Sequence, residues 1–139
     1  MSRGRLLVAE DHEGVLNSVL RLLSKHYDVI GTVKDGRALL EAAGAMEPDV
    51  LVVDISMPVL NGLEAARILR KTGCKSKIVF LTAHDDADFI NAARAAGGLG
   101  YVLKTQMATD LPAAVKSALA GKSFISSSSI AAKSIKKPD

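Results

Sequence analysis

Short apolar runs alternate with amphipathic stretches along this chain. The runs Arg5–Ala9, Tyr27–Val33, Asp49–Val53, Lys77–Leu81 and Leu99–Leu103 predict strands. Within them, Val50-Leu51-Val52-Val53 and Ile78-Val79-Phe80-Leu81 are apolar at every position. That is the pattern of a parallel strand covered on both faces. Helices are predicted between the runs, over 14–25, 35–45, 62–72, 86–96 and 109–121. In the last of these, Leu111, Ala114, Val115, Ala118 and Leu119 fall on one face of a helix. Asp110 is placed to cap it, Pro112 suits its first turn and Gly121 suits its end. Asp35 and Asp86 are N-cap candidates for the second and fourth helices.

Five strands alternating with five helices predict an α/β fold, a (βα)5 doubly wound parallel five-stranded sheet with helices on both faces. The expected strand order is 2-1-3-4-5. Sites in such sheets lie beyond the carboxyl ends of the strands, where the order reverses, here between strands 1 and 3. The 139 residues suit one domain. After Gly121 the composition shifts to Ser, Ala and Lys and closes on Lys136-Lys137-Pro138-Asp139. The expectation is a domain over 1–121 and a linker or C-terminal extension over 122–139.

The net charge of +3 changes little, because 14 basic and 14 acidic residues cancel between Met1 and Gly121. Four lysines and one aspartate after that point carry the excess. The body of the chain therefore offers no reason to bind nucleic acid directly. One cysteine, Cys74, excludes an internal disulfide and, without a second cysteine or a histidine at ligand spacing, argues against a zinc site. No apolar run approaches the ~20 residues of a membrane span, and Glu10-Asp11 end the first run early. The expectation is a cytoplasmic protein that does not enter membranes.

Four of the strands end in groups suited to one task. The first runs into Glu10-Asp11, the third into Asp54, the fourth into Thr82 and the fifth into Lys104. Neighbouring strands lie ~4.8 Å apart, so the order 2-1-3-4-5 brings these residues to one edge. Three crowded carboxylates repel unless a cation sits among them. Hard oxygen donors with room for water suit magnesium, Mg2+. Magnesium there would neutralise a phosphoryl group, with Lys104 adding positive charge and Thr82 a hydrogen bond. Asp54 would be the nucleophile, forming an acyl phosphate.

Glu10-Asp11, the run Asp54-Ile55-Ser56-Met57-Pro58 with Asn61-Gly62, Thr82-Ala83 and Tyr101-Val102-Leu103-Lys104 together resemble the signature of bacterial two-component response-regulator receiver domains. The match covers residues 5–121, and the ending of the fifth strand is similar to the subfamily with helix-turn-helix DNA-binding outputs. The resemblance implies a flavodoxin-like fold and a phosphoacceptor switch phosphorylated on Asp54 by a sensor histidine kinase. It implies a regulatory domain, not an enzyme beyond its own phosphotransfer and autodephosphorylation. Glu10, Asp11, Asp54 and the backbone carbonyl of Ser56 would bind magnesium. Thr82 and Lys104 would contact the phosphoryl oxygens. Thr82 and Tyr101 would form the switch, the aromatic ring moving between outward and inward rotamers. Ser56 and His84 would tune hydrolysis of the acyl phosphate. A homodimer through the face of the fourth helix, fifth strand and fifth helix is a further expectation, with DNA reached only through an output domain absent from this chain. Two departures stand out. Thr105 follows the lysine where many receivers have proline, and Gly98 adds a glycine that loosens the entry to the fifth strand.

Other classes fit less well. A stand-alone or degenerate receiver acting only as an interaction module would not need the full set of Glu10, Asp11, Asp54, Thr82 and Lys104. A haloacid-dehalogenase-like phosphatase needs Asp-x-Asp after the first strand, and a toprim-type nuclease needs it on a later one. A nucleotide-binding fold needs a glycine-rich loop where Ala9-Glu10-Asp11-His12-Glu13 would repel phosphate. His12 reads as solvated, His26 as a helix end and Cys74 as inert.

Overall fold

The computed structural model describes residues 4–126. The strands are β1 (Arg5–Ala9), β2 (Asp28–Val33), β3 (Val50–Asp54), β4 (Lys77–Thr82), β5 (Gly100–Leu103) and a short β6 (Phe124–Ile125). The helices are α1 (Glu13–Leu23), α2 (Gly36–Met46), α3 (Gly62–Lys71), α4 (Ala87–Ala95) and α5 (Met107–Leu119). The sheet order is β2-β1-β3-β4-β5-β6, and every pairing is parallel. The flavodoxin-like order 2-1-3-4-5 is thus present, with a sixth strand added along β5.

Because strand side chains alternate, the continuous apolar runs supply two cores. Leu7, Leu51, Val53, Ile78 and Phe80 meet α2, α3 and α4 on one face. Leu6, Val8, Val50, Val52, Val79 and Leu81 meet α1 and α5 on the other. Asp35 caps α2 by accepting from the Ala38 N–H at 2.8 Å, and Asp86 caps α4 by accepting from Asp88 N–H at 2.7 Å. Asn61 and Glu64 form a reciprocal capping box at α3 that the apolar pattern alone did not reveal.

Three expectations are corrected. The sheet has six strands rather than five, and Lys122–Ser126 runs onto the β5 edge instead of leaving the fold at Gly121. The expected extension beyond Ser126 lies outside the described residues. The fifth helix starts at Met107, after a 3-10 turn over Lys104–Gln106, so Asp110 does not cap it and Pro112 lies inside it. The chain coming off β5 is already turning at Lys104, and the helix continues that turn. Finally, Gly98 does not loosen the entry to β5. A Cβ there would stand 2.5 Å from the Phe80 ring and 3.0 Å from the Ala93 carbonyl, so the glycine permits close packing. With Thr105 in the proline position, Lys104–Thr105 is trans, as is every peptide bond among the described residues.

Candidate functional site

Register brings the polar strand ends together. Ala9 pairs with Val53, Asp54 with Leu81 and Thr82 with Leu103. Glu10, Asp54, Thr82 and Lys104 therefore follow one another across the carboxyl edge of β1, β3, β4 and β5. Glu10, Asp54 and Thr82 are buried, with only 1–2% of their surfaces exposed, whereas Asp11 is exposed. The expected cleft between strands 1 and 3 is where they meet.

The backbone around Asp54 is tightly built. A Cβ on Gly62 would meet the Asp54 carbonyl oxygen at 2.4 Å, so only glycine lets α3 start this close to β3. A Cβ on Gly36 would strike the Leu60 carbonyl, fixing the loop after Asp54 against α2. Between them Val59 adopts φ 69° while the Leu60 N–H bonds the Pro58 carbonyl at 2.7 Å, a γ-turn in the left-handed region. Ser56 donates its N–H to Asp54 Oδ1 at 3.0 Å.

Lys104 Nζ stands 3.1 Å from Asp54 Oδ2 and 3.2 Å from Glu10 Oε1. Partial burial disfavours the ammonium, but the charges and hydrogen bonds of Asp54 and Glu10 outweigh it and raise its pKa. Burial pushes the Glu10 carboxyl up to about 7; its hydrogen bond and repulsion with Asp54 add to this, while the His12 N–H and Lys104 oppose it. One carboxylate oxygen from each of Glu10, Asp11 and Asp54 lies within 4.8 Å of the other two. Glu10 Oε1 is buried, and its contact with the ammonium lacks the alignment of a full hydrogen bond. A hard cation would satisfy that oxygen and relieve the crowding, so the donor set fits one.

On the β4–β5 side, Thr82 Oγ1 accepts from the His84 N–H at 3.0 Å. Tyr101 is turned inward, 3% exposed, and its hydroxyl donates to the His84 carbonyl at 2.9 Å. Burial pushes its phenol up to about 12; a hydrogen bond with Thr82 opposes this, and Asp86 and Asp85 add to it. The His84 ring stacks on Phe89 with centroids 4.3 Å apart. His12 is exposed, and Cys74 is a free thiol away from the site. His26 lies in the turn after α1 rather than on it. The tie from Tyr101 to the His84 carbonyl escaped the sequence, because a backbone acceptor leaves no signal in residue type.

A doubly wound parallel sheet with acidic groups, a threonine and a lysine at its carboxyl edge defines a receiver-type regulatory domain. The family model for the response regulator receiver domain matches residues 6–116, and the chain belongs to that family. It is 39% identical over 124 residues to the uncharacterized transcriptional regulatory protein YvfU of Bacillus subtilis (strain 168), covering 88% of this chain and 62% of that one. The signal receiver domain of the putative response regulator NarL from Mycobacterium tuberculosis superposes with TM-score 0.84 at 30% identity, over 88% of this chain and all of that one. The isolated receiver domain of RcsB from Salmonella enterica serovar Typhimurium, in the presence of phosphomimetic BeF3-, gives TM-score 0.83 at 25% identity over 95% and 97% of the two chains. The chain spans between 52% and 62% of the length of the curated relatives first matched. It is thus a receiver domain of the two-component type, related to transcriptional regulators. No helix among the described residues is long and apolar enough to cross a membrane.

Proposed function

We propose that this receiver accepts a phosphoryl group on Asp54 from a sensor histidine kinase, with magnesium bound by Glu10, Asp11, Asp54 and the Ser56 carbonyl. The carrying observation is the position of Lys104 Nζ, shared between Asp54 Oδ2 and Glu10 Oε1. Magnesium, when bound, supplies positive charge that offsets the three carboxylates and the incoming phosphoryl oxygens. The Asp54 carboxylate forms a bond to phosphorus as the phosphorus–nitrogen bond of a phosphohistidine breaks, and the imidazole leaves with a proton from solvent. Lys104 passes from pairing Asp54 to pairing the phosphoryl oxygens. The Thr82 hydroxyl oxygen accepts from the His84 N–H, and its hydrogen would turn from Tyr101 to a phosphoryl oxygen.

The receiver runs through β6, and the residues after Ser126 lead toward a transcriptional output. The face of α4, β5 and α5 is the surface for a homodimer or another domain, and Thr82 and Tyr101 are the switch that reaches it. Ser56 and His84 flank the phosphoryl position and set the rate of its hydrolysis. This reading places the chain in the cytoplasm.

Incubation with a small phosphodonor and magnesium should add one phosphoryl group. Asp54→Asn should abolish it, and chelation of the metal should suppress it. Equal labelling in the Asp54→Asn variant would overturn the assignment.

A further inference from the structure

We propose that β6 is a latch whose docking on β5 is coupled to phosphorylation of Asp54, with Ile125 and Ser126 as its positioning residues. The inference rests on the phosphoacceptor reading above and concerns a segment that the receiver signature does not include.

An edge strand exposes unpaired backbone groups, and proteins cover such edges. Here three residues cover most of β5. The Phe124 N–H donates to the Leu99 carbonyl at 2.9 Å and the Ser126 N–H to the Tyr101 carbonyl at 3.0 Å. The last bond differs in kind: the Leu103 N–H donates to the Ser126 hydroxyl oxygen at 3.0 Å. A side chain thus ends the ladder where a strand would use its backbone. Ser126 is 1% exposed, the only buried polar residue among the described ones outside the carboxyl-edge site.

The latch touches the switch directly. Ile125 is the register partner of Tyr101, so the two side chains lie side by side on the same face of the sheet. Both belong to the apolar cluster on the α2–α4 side. The inward Tyr101 holds the His84 carbonyl, and the His84 N–H holds Thr82 Oγ1. Leu103, bonded to Ser126, is also the register partner of Thr82. Two short routes therefore run from β6 to the threonine beside Asp54. An outward Tyr101 would leave Ile125 without its lateral neighbour and loosen the packing of β6 on that face, leaving Phe124 against the α1–α5 core as its other side-chain anchor. Docked β6 thus favours the inward tyrosine and the loop arrangement in which Thr82 can donate to a phosphoryl oxygen. Coupling of this kind is reciprocal: a phosphoryl group on Asp54 must favour docking by the same factor.

The test uses the full chain with magnesium and beryllofluoride as the phosphoryl mimic. In the wild-type protein the mimic should slow amide exchange at Leu103 and Ser126 by about 5- to 150-fold, the usual range of coupling between sites. Ser126→Pro, which loses both ties to β5, should weaken affinity for the mimic by a factor in that range. Ile125→Ala should weaken it in the same direction, and Ser126→Thr, which keeps the hydroxyl, should restore it. If the mimic binds, as shown by shifts at Thr82 and His84, yet exchange at Leu103 and Ser126 and the affinities of the variants are unchanged, the latch is overturned while the phosphoacceptor reading stands. Failure of the mimic to bind the wild type would overturn both. The exchange measurement needs no variant, so it decides the matter even where a substitution prevents folding.

Discussion

Lys104 and Asp54, fifty residues apart in sequence, are joined by a 3.1 Å contact between the ammonium and Oδ2. The same ammonium serves Glu10, so one cation offsets two buried carboxylates. Lys104→Met keeps the stem and removes the charge, leaving both acids to face each other. Without magnesium this should destabilise the fold by about 1–3 kcal/mol near pH 8, because a buried charge left unpaired is costly. The loss should shrink near pH 5, where Glu10 holds a proton. Urea melts at the two pH values measure it, and an equal loss at both would contradict the pairing.

Gly98→Ala should destabilise by about 1–3 kcal/mol, the usual range for overpacking a core. The new methyl would meet the buried Phe80 ring and a backbone carbonyl of α4, neither of which can step aside freely. Gly44→Ala is the contrast: nothing lies within 4 Å of a Cβ there, and α2 gains a better helix former. It should stabilise by about 0.5–1 kcal/mol. Denaturation midpoints of the two variants give opposite signs if this packing is correct.

The difference between Gly98 and Gly44 shows what was legible in the sequence. Runs such as Val50–Val53 are apolar at every step, so they fixed strand positions and, through the alternation, the convergence of Glu10, Asp54, Thr82 and Lys104. Gly98 was misread because glycine permits both looseness and close approach, and only the position of Phe80 decides between them. The start of α5 was misread because Asp110 and Pro112 are good starting residues, whereas the actual start follows from the turn off β5. The strand at Phe124–Ile125 is too short for any periodicity, and Ser126 sits in a serine-rich run that disguises its buried role.

Tyr101→Phe removes the hydroxyl that ties β5 to the loop after β4. The His84 carbonyl would then turn to water, so the stability loss should be modest, about 0.5–1 kcal/mol. The phenol's ionisation supplies a second signature. Its pKa is raised to about 12, mainly by burial, above the usual 10.0. A folded-state pKa above the unfolded one means that stability falls as pH rises through that interval. The wild type should therefore lose stability between pH 10 and 12, and Tyr101→Phe should lose less. Alkaline unfolding monitored by circular dichroism separates the two proteins.

The strongest dependence on solution conditions should come from the acidic cluster. Glu10 has its pKa raised from 4.5 to about 7 without metal. Between those values the folded protein holds a proton that the unfolded chain has released. Stability without metal should therefore fall as pH rises from 4.5 to 7, by on the order of 2–3 kcal/mol if Glu10 acts alone, and flatten above that. Magnesium binds the folded cluster and not the separated carboxylates of the unfolded chain. It should add about 1.4 kcal/mol at tenfold its dissociation constant, and more at higher pH because it competes with the Glu10 proton. Asp54→Asn takes one charge out of the cluster while Lys104 keeps Glu10 as a partner. Near pH 7.5 it should raise stability without metal by about 1 kcal/mol and reduce the gain from magnesium. Thermal melts of the two proteins across pH, with and without magnesium at constant ionic strength, give all four quantities. A wild-type melting temperature indifferent to magnesium, together with no fall in stability between pH 4.5 and 7, would show that Glu10, Asp11 and Asp54 do not act as one site.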